Sequence, residues 1–274
     1  MGDQIIPPNA WGIGEYRIVS MVGDDGTIPY NLSLDTPSAK LIPMKTINFY
    51  TETEHNQTIA ILQFNRPQVM NALNRQAMNE FAECVGRVQD DPSIRALILT
   101  GAGERAFCSG GDLSELSALT SEAEAWEFSQ LMTNALADLE ALPIPVIGAI
   151  NGYALGGGSE IALACDMRIV DQSAKLGFVQ ARLALTPGWG AGNRLLRAVG
   201  YAQAMELLLR ASPLSADDLV RLRLVNQVTE QGKALDSARQ LAHVIAGWDA
   251  DVVRGIKRLL RAGVEQSPAE ARQI

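Results

Sequence analysis

Histidine and cysteine are scarce in this 274-residue chain, with two of the first, His55 and His243, and three of the second, Cys84, Cys108 and Cys165. An odd, sparse cysteine set is no disulfide framework and points to a reducing compartment. Neither residue type clusters at zinc-ligand spacing, so no metal site is expected. The two histidines stand apart and read as surface or packing residues rather than as a catalytic base. Basic charge is also short: 23 Lys and Arg oppose 31 Asp and Glu, a net charge of −8. General nucleic-acid binding needs a basic footprint, so a nucleic-acid partner is not expected. No apolar run reaches the roughly 18 residues of a membrane-spanning helix. Residues 1–25 lack the basic start and apolar stretch of a signal peptide, and are too acidic for a transit peptide, which makes the cytoplasm the expected location.

Hydrophobic residues make up 47% of the chain and charged residues 20%, enough for a substantial buried core. Residues 1–45 carry Pro7, Pro8, Pro29, Pro37 and Pro43 without a sustained period, and read as an irregular extension able to wrap the domain or a neighbouring subunit. From about residue 46 strand and helix patterns alternate. QTIAILQF (57–64), IRALILT (94–100), VIGAI (146–150) and DMRIV (166–170) read as strands. Residues 74–90 place Met78, Phe81, Val85 and Val88 on one helical face, ending before Pro92. Residues 121–141 form a second helix, with Ser121 and Glu124 as a capping box. Residues 192–210, 215–223 and 232–247 read as mostly helical. The whole is α/β, one domain over 46–274, with its core at about 46–210 and a helical C-terminal part.

Two glycine-rich segments carry the chemistry, AFCSGGDL (106–113) and NGYALGGGSEIALACD (151–166), each following a strand. Glycine lets the backbone approach a ligand closely, and successive N–H groups in such turns converge on one oxygen. A helix that begins at a glycine adds its free N–H groups and positive dipole end. Two such turns face to face would hold a carbonyl oxygen on which negative charge develops.

These segments resemble the two signatures of the enoyl-CoA hydratase/isomerase, or crotonase, superfamily. NRPQVMNALN (65–74) and LALTPGWG (183–190) resemble two further family segments, so the likeness runs from about 46 to 262. The resemblance implies a ClpP/crotonase-like spiral of ββα units, usually trimeric or a pair of trimers. It implies an acyl-CoA thioester substrate, with coenzyme A part of that substrate and no separate cofactor. The oxyanion hole falls on the N–H groups of Gly111 and Gly157, and Glu160 on one of two catalytic glutamates. Arg66, Val69, Asn71, Ala72, Cys108, Ser109 and Gly110 fall along the CoA channel, and Asp112 on a loop-shaping position.

Gln180 falls where hydratases of the family carry their second glutamate. A glutamine exchanges no proton and can only position a ligand or water. Decarboxylation of a malonyl-type thioester needs no base, because loss of CO₂ creates the enolate directly. FCSGGDLSELSAL, ALGGGSEIALACDMRI and KLGFVQARLALTPGWG are similar to segments of ethylmalonyl-CoA decarboxylases, with Trp189 among the telling residues. A malonyl-type decarboxylase is therefore the leading expectation. Hydration or isomerisation by Glu160 alone is the alternative, and a non-catalytic CoA- or RNA-binding protein is another. Family members usually continue for tens of residues past the KRLL segment, so the extension is expected to replace a lid, or the pocket to be more open.

Other signals are set aside. GAGERA (101–106) matches a dinucleotide fingerprint, but no helix is expected to start inside it. Ser159 lacks a histidine nearby, and Cys108 reads as a packing residue. Arg254, Lys257, Arg258 and Arg261 share a helical face that is either solvated or in contact with CoA phosphates. Trp126 and Trp248 read as packing anchors, and Trp189 as adjoining the substrate.

Overall fold

The computed structural model describes residues 38–265, and its first element already departs from expectation. Ser38–Pro43 (β1) is a strand inside the stretch read as irregular; residues 1–37 of the extension lie outside the described residues. β1 pairs antiparallel with Ile47–Glu54 (β2), which pairs antiparallel with Gln57–Phe64 (β3). At the sheet edge the missing N–H of Pro43 need not break the ladder. The chain continues through Arg75–Asp90 (α1), Ile94–Gly101 (β4), Ala106–Cys108 (β5), Leu113–Ala118 (α2) and Glu122–Ala141 (α3). Val146–Ile150 (β6), Tyr153–Leu155 (β7), Gly157–Ala164 (α4), Met167–Asp171 (β8) and Lys175–Gly177 (β9) follow. The last part holds Ala191–Val199 (α5), Tyr201–Arg210 (α6), Ala216–Arg221 (α7), Gln227–Thr229 (β10), Ala234–Ala246 (α8) and Ala250–Glu265 (α9).

Three successive turns of the chain repeat one plan. A longer strand joins a seven-stranded sheet of order β1-β2-β3-β4-β6-β8-β10, and a short strand joins a three-stranded sheet of order β5-β7-β9. Helical structure follows each short strand, which is the expected spiral of ββα units with a helical C-terminal part.

The central strands β3, β4 and β6 are largely apolar because both faces of the sheet are covered there. Ile59, Ile61, Ala96, Ile98, Ile147, Ala149 and Ile169 meet Ala234, Ala238, Ala242 and Ala246 of α8. That alanine stripe, spaced by four, brings the helix backbone close to the sheet. On the other face Ala60, Leu62, Leu97 and Leu99 join Met78, Phe81, Met132 and Leu136 in the main core.

Helix ends follow local chemistry. Asn74 Oδ1 accepts from Ala77 N at 2.9 Å and starts α1. Ser121 caps α3, and the Glu124 carboxylate takes its main backbone bond from Thr120 N at 2.8 Å, one residue outside the expected box. A reciprocal box forms instead at Ser215 and Asp218. The helical stretch expected over 192–210 is two helices, broken at Gly200, where φ is +77°.

Candidate active site

The small sheet assembles the site. β5, β7 and β9 are parallel neighbours, with Cys108 beside Ala154 and Leu155 beside Gly177. Parallel strands end at the same edge, so the segments that follow them, Ser109–Gly111, Gly156–Gly157 and Gln180, come together. The approach is close: a Cβ built on Gly110 would lie 2.7 Å from Gly157 N, and one on Gly158 only 1.9 Å from Cys108 O. Gly110 also holds φ at +92°, where other residues are strained. Among the described residues the N–H groups of Gly111 and Gly157 take no part in the turn and cap bonds around them, whereas Gly110 N points to Cys108 Sγ and Asp112 N to Leu73 O. Gly157 opens α4, so its N–H is one of the first-turn donors a helix leaves free.

Glu160 lies in that same first turn and is 2% exposed. Its Oε2 accepts from Trp189 N at 2.8 Å and Ala191 N at 2.9 Å. Its Oε1 accepts from Gln180 Nε2 at 2.9 Å. Burial pushes the carboxyl above the ordinary glutamate value, opposed by the two backbone N–H groups, the Gln180 amide and the positive charge of Arg194. Gln180 is itself buried, and its Oε1 has no hydrogen-bond partner among the described residues. A buried acceptor left alone is available to a donor brought by a ligand or water.

Residues expected along the CoA channel divide into two groups. Val69 is 40% exposed, while Ser109 and Arg66 are half-buried. Arg66 spends Nη1 on Ala72 O at 2.6 Å and Asp112 Oδ2 at 2.9 Å. Asn71 and Cys108 cannot offer side chains to a ligand. Asn71 is 1% exposed and its amide donates to Ala102 O and Ala106 O, which locks the preceding turn. Cys108 faces the core, and burial pushes its thiol up to about 12. Ala72 is buried as well. Ser109 N donates to Met70 O and Leu73 N to Gly110 O, so the 66–74 turn is zipped to the first glycine turn. Asp112 shapes its loop, capping α2 through Ser114, and that hydroxyl contact is the main reason its carboxyl is held low.

Several side readings change. Trp126 and Trp248 are 68% and 57% exposed and anchor little, whereas Trp189 is 6% exposed. Ser159 Oγ is spent on Ala154 O and Gly177 O. The basic face on α9 is not uniformly solvated: Lys257 is buried against Asp166 at 2.7 Å and Ile144 O at 2.8 Å, and Arg254 pairs with Asp251. Among the described residues no group of three or more His, Cys, Asp or Glu could hold a metal ion, and no helix is long and apolar enough to cross a membrane. The sequence reading missed Ala191, Arg194 and Glu140. Arg194 Nη1 donates to Trp189 O at 2.5 Å, and its Nε and Nη2 grip Glu140 at 2.9 and 2.7 Å. Ala191 acts through its main chain, which no residue type announces; the Arg194–Glu140 pair spans 54 positions, beyond any local spacing.

The chain is similar to known proteins over most of its length. A family model described as enoyl-CoA hydratase/isomerase matches residues 54–274. The short-chain-enoyl-CoA hydratase of Clostridium acetobutylicum is 37% identical over 77% of this chain and 81% of its own length. The crotonyl-CoA hydratase of Syntrophomonas wolfei is 38% identical over 81% of this chain and 85% of its own. The crystal structure of an enoyl-CoA hydratase from Bacillus anthracis superposes with a TM-score of 0.78 at 33% identity, covering 84% of this chain and 87% of that one. With the spiral of ββα units, the paired glycine turns and the buried Glu160, the chain belongs to the enoyl-CoA hydratase/isomerase family of the crotonase superfamily.

Proposed function

We propose that this protein adds water reversibly across the double bond of a 2-enoyl-CoA thioester, with Glu160 as its one acid–base carboxyl. The observation that carries the reading is the Gln180 amide. Its Nε2 is committed to Glu160 Oε1, which leaves the buried Oε1 as an acceptor beside the carboxylate. Two adjacent acceptors, Gln180 Oε1 and Glu160 Oε1, suit the two O–H groups of one water.

In this reading Glu160 takes one proton as the water oxygen bonds to the β-carbon. The electrons of the double bond move to the thioester oxygen, and the N–H groups of Gly111 and Gly157 stabilise the resulting enolate. Glu160 then returns the proton to the α-carbon, giving the 3-hydroxyacyl thioester. A carboxyl whose pKa is raised by burial is suited to both halves of this exchange. Coenzyme A enters as part of the substrate, along Arg66, Val69, Ala72, Ser109 and Gly110, and no separate cofactor takes part. The relatives named above are hydratases by name, which supports hydration over the malonyl-type decarboxylation expected from Gln180. The family resemblance also supports a homotrimer or a pair of trimers.

Decarboxylation is kept as a second reading for one reason, that residue 180 brings no negative charge of its own. A substrate carboxylate would need donors, so the Gln180 amide would have to turn its Nε2 outward and Glu160 would have to be protonated to face Oε1. Incubation with crotonyl-CoA, ethylmalonyl-CoA and methylmalonyl-CoA in parallel, followed by mass spectrometry, separates the two. The expected result is a gain of water on crotonyl-CoA with the malonyl-type thioesters unchanged. Loss of CO₂ with crotonyl-CoA untouched overturns the hydratase reading.

A further inference from the structure

Trp189, read in the sequence as adjoining the substrate, borders both glycine turns in the structure. Its ring lies against the main chain of Gly157, so that a Cβ built there would be 2.1 Å from Cζ3 and 2.6 Å from Cε3. The same ring reaches the other turn, with Cζ2 3.7 Å from a Cβ built on Gly111. Leu116 Cδ1 and Phe128 Cε1 surround that Gly111 position at 3.3 and 3.6 Å. The main chain of Trp189 is fixed on both sides, its N–H on Glu160 at 2.8 Å and its C=O on Arg194 at 2.5 Å. One residue therefore borders both donor-bearing turns with its ring and holds the acid–base carboxyl with its backbone.

An acyl group whose carbonyl sits between Gly111 and Gly157, with its α-carbon toward Glu160, has this indole as its neighbour. Carbons beyond the reacting pair meet a rigid aromatic surface. We infer that Trp189, backed by Leu116 and Phe128, is the end wall of the acyl pocket and restricts the substrate to short acyl groups. The inference rests on the thioester reading above and adds to it the class of acyl chain and the residue that selects it. A rigid wall rejects an extended acyl chain by steric exclusion, and the first methylene that does not fit is worth about 10- to 200-fold in selectivity.

The test compares wild type, Trp189→Gly and Leu116→Ala on crotonyl-CoA and 2-octenoyl-CoA, with calorimetric binding of butyryl-CoA and octanoyl-CoA alongside. Trp189→Gly keeps the backbone N–H that holds Glu160 while removing the ring. Wild type is expected to favour crotonyl-CoA by on the order of 100-fold in kcat/KM, for a difference of several methylenes. Trp189→Gly is expected to shift that ratio toward 2-octenoyl-CoA by about 10-fold or more, and Leu116→Ala to shift it less in the same direction. Should the Trp189 variant fail to fold, the half-buried Leu116 variant carries the test. Equal use of both substrates by wild type, or an unchanged ratio in the folded variants, overturns the inference. Absence of hydration together with tight butyryl-CoA binding that Trp189→Gly redirects to octanoyl-CoA would remove the hydratase assignment and leave the wall standing.

Discussion

Gly110 is the residue on which the proposed oxyanion hole most directly depends, although it donates nothing to substrate. Its φ of +92° strains any other residue, and a Cβ there would sit 2.7 Å from Gly157 N. Gly110→Ala must therefore push the two turns apart at the point where their N–H groups converge. Loss of one such donor lowers kcat by about 100- to 1,000-fold. The expectation for Gly110→Ala is a kcat reduction in that range with a cooperative thermal transition retained, measured by steady-state kinetics and circular dichroism. A variant with near wild-type kcat would mean that the turns tolerate the displacement and that the hole is not built here. The glycines were legible in the sequence because glycine is the residue such turns require. The contact between Glu160 and Gln180, 20 positions apart, was legible only through the family resemblance. The donors that grip Glu160 Oε2 were not legible at all, since Trp189 N and Ala191 N act as backbone and leave no mark on residue identity.

At the scale of elements, the segment before α5 is held from two sides. Ser129 and Thr133 of α3 donate to Gly188 O at 2.8 and 3.0 Å. Arg194 of α5 donates to Trp189 O and makes a two-pronged pair with Glu140 of α3. Arg194 thus positions the N–H groups that hold Glu160, and its charge also favours the ionised carboxyl. A raised pKa means that Glu160 is protonated at low pH, so kcat/KM for hydration rises with pH through that value and levels off above it. Arg194→Met removes the cation that lowers the pKa, so the rising limb is expected to move to higher pH. It is expected to cost about 10-fold in kcat/KM near neutrality, less than the roughly 100- to 10,000-fold that the acid–base group itself contributes, because Glu160 remains in place. A merely structural role for Arg194 would lower activity without moving the limb, and pH profiles of the two proteins decide between these outcomes. Periodicity showed the long elements plainly: the apolar face of α1 and the buried strands β3, β4 and β6 fall where their patterns place them. The three-residue strands β5, β7 and β9 carry too few positions for a period to register, yet they are the strands that set the site. Pattern reading found the scaffold and motif reading found the turns; the sheet that joins them had no signal of its own.

At the scale of the whole molecule, α9 carries apolar side chains that stand exposed among the described residues. Val252, Ile256, Leu259, Leu260 and Val264 lie along one stripe of the helix, each more than half exposed. The inner side is anchored by Lys257, whose ammonium is buried against Asp166 and Ile144 O, so the helix cannot roll to bury the stripe without breaking that pair. Breaking it would leave the Lys257 ammonium, whose side chain is 8% exposed, without its carboxylate partner. Burying apolar surface contributes about 25 cal/mol per Å², and contiguous exposed stripes of this kind mark interaction sites. A trimer of the kind the family resemblance implies would cover the stripe with a second copy of the chain. Sedimentation equilibrium is expected to give three or six times the 29.5 kDa chain mass. Ile256→Glu combined with Leu260→Glu places two carboxylates where apolar surface would be covered, and is expected to lower that mass to one chain while the circular dichroism spectrum stays the same. A wild-type protein that sediments as a single chain, or a double variant that keeps the wild-type mass, would mean that α9 does not join copies. Its apolar stripe would then have to be explained within a single chain.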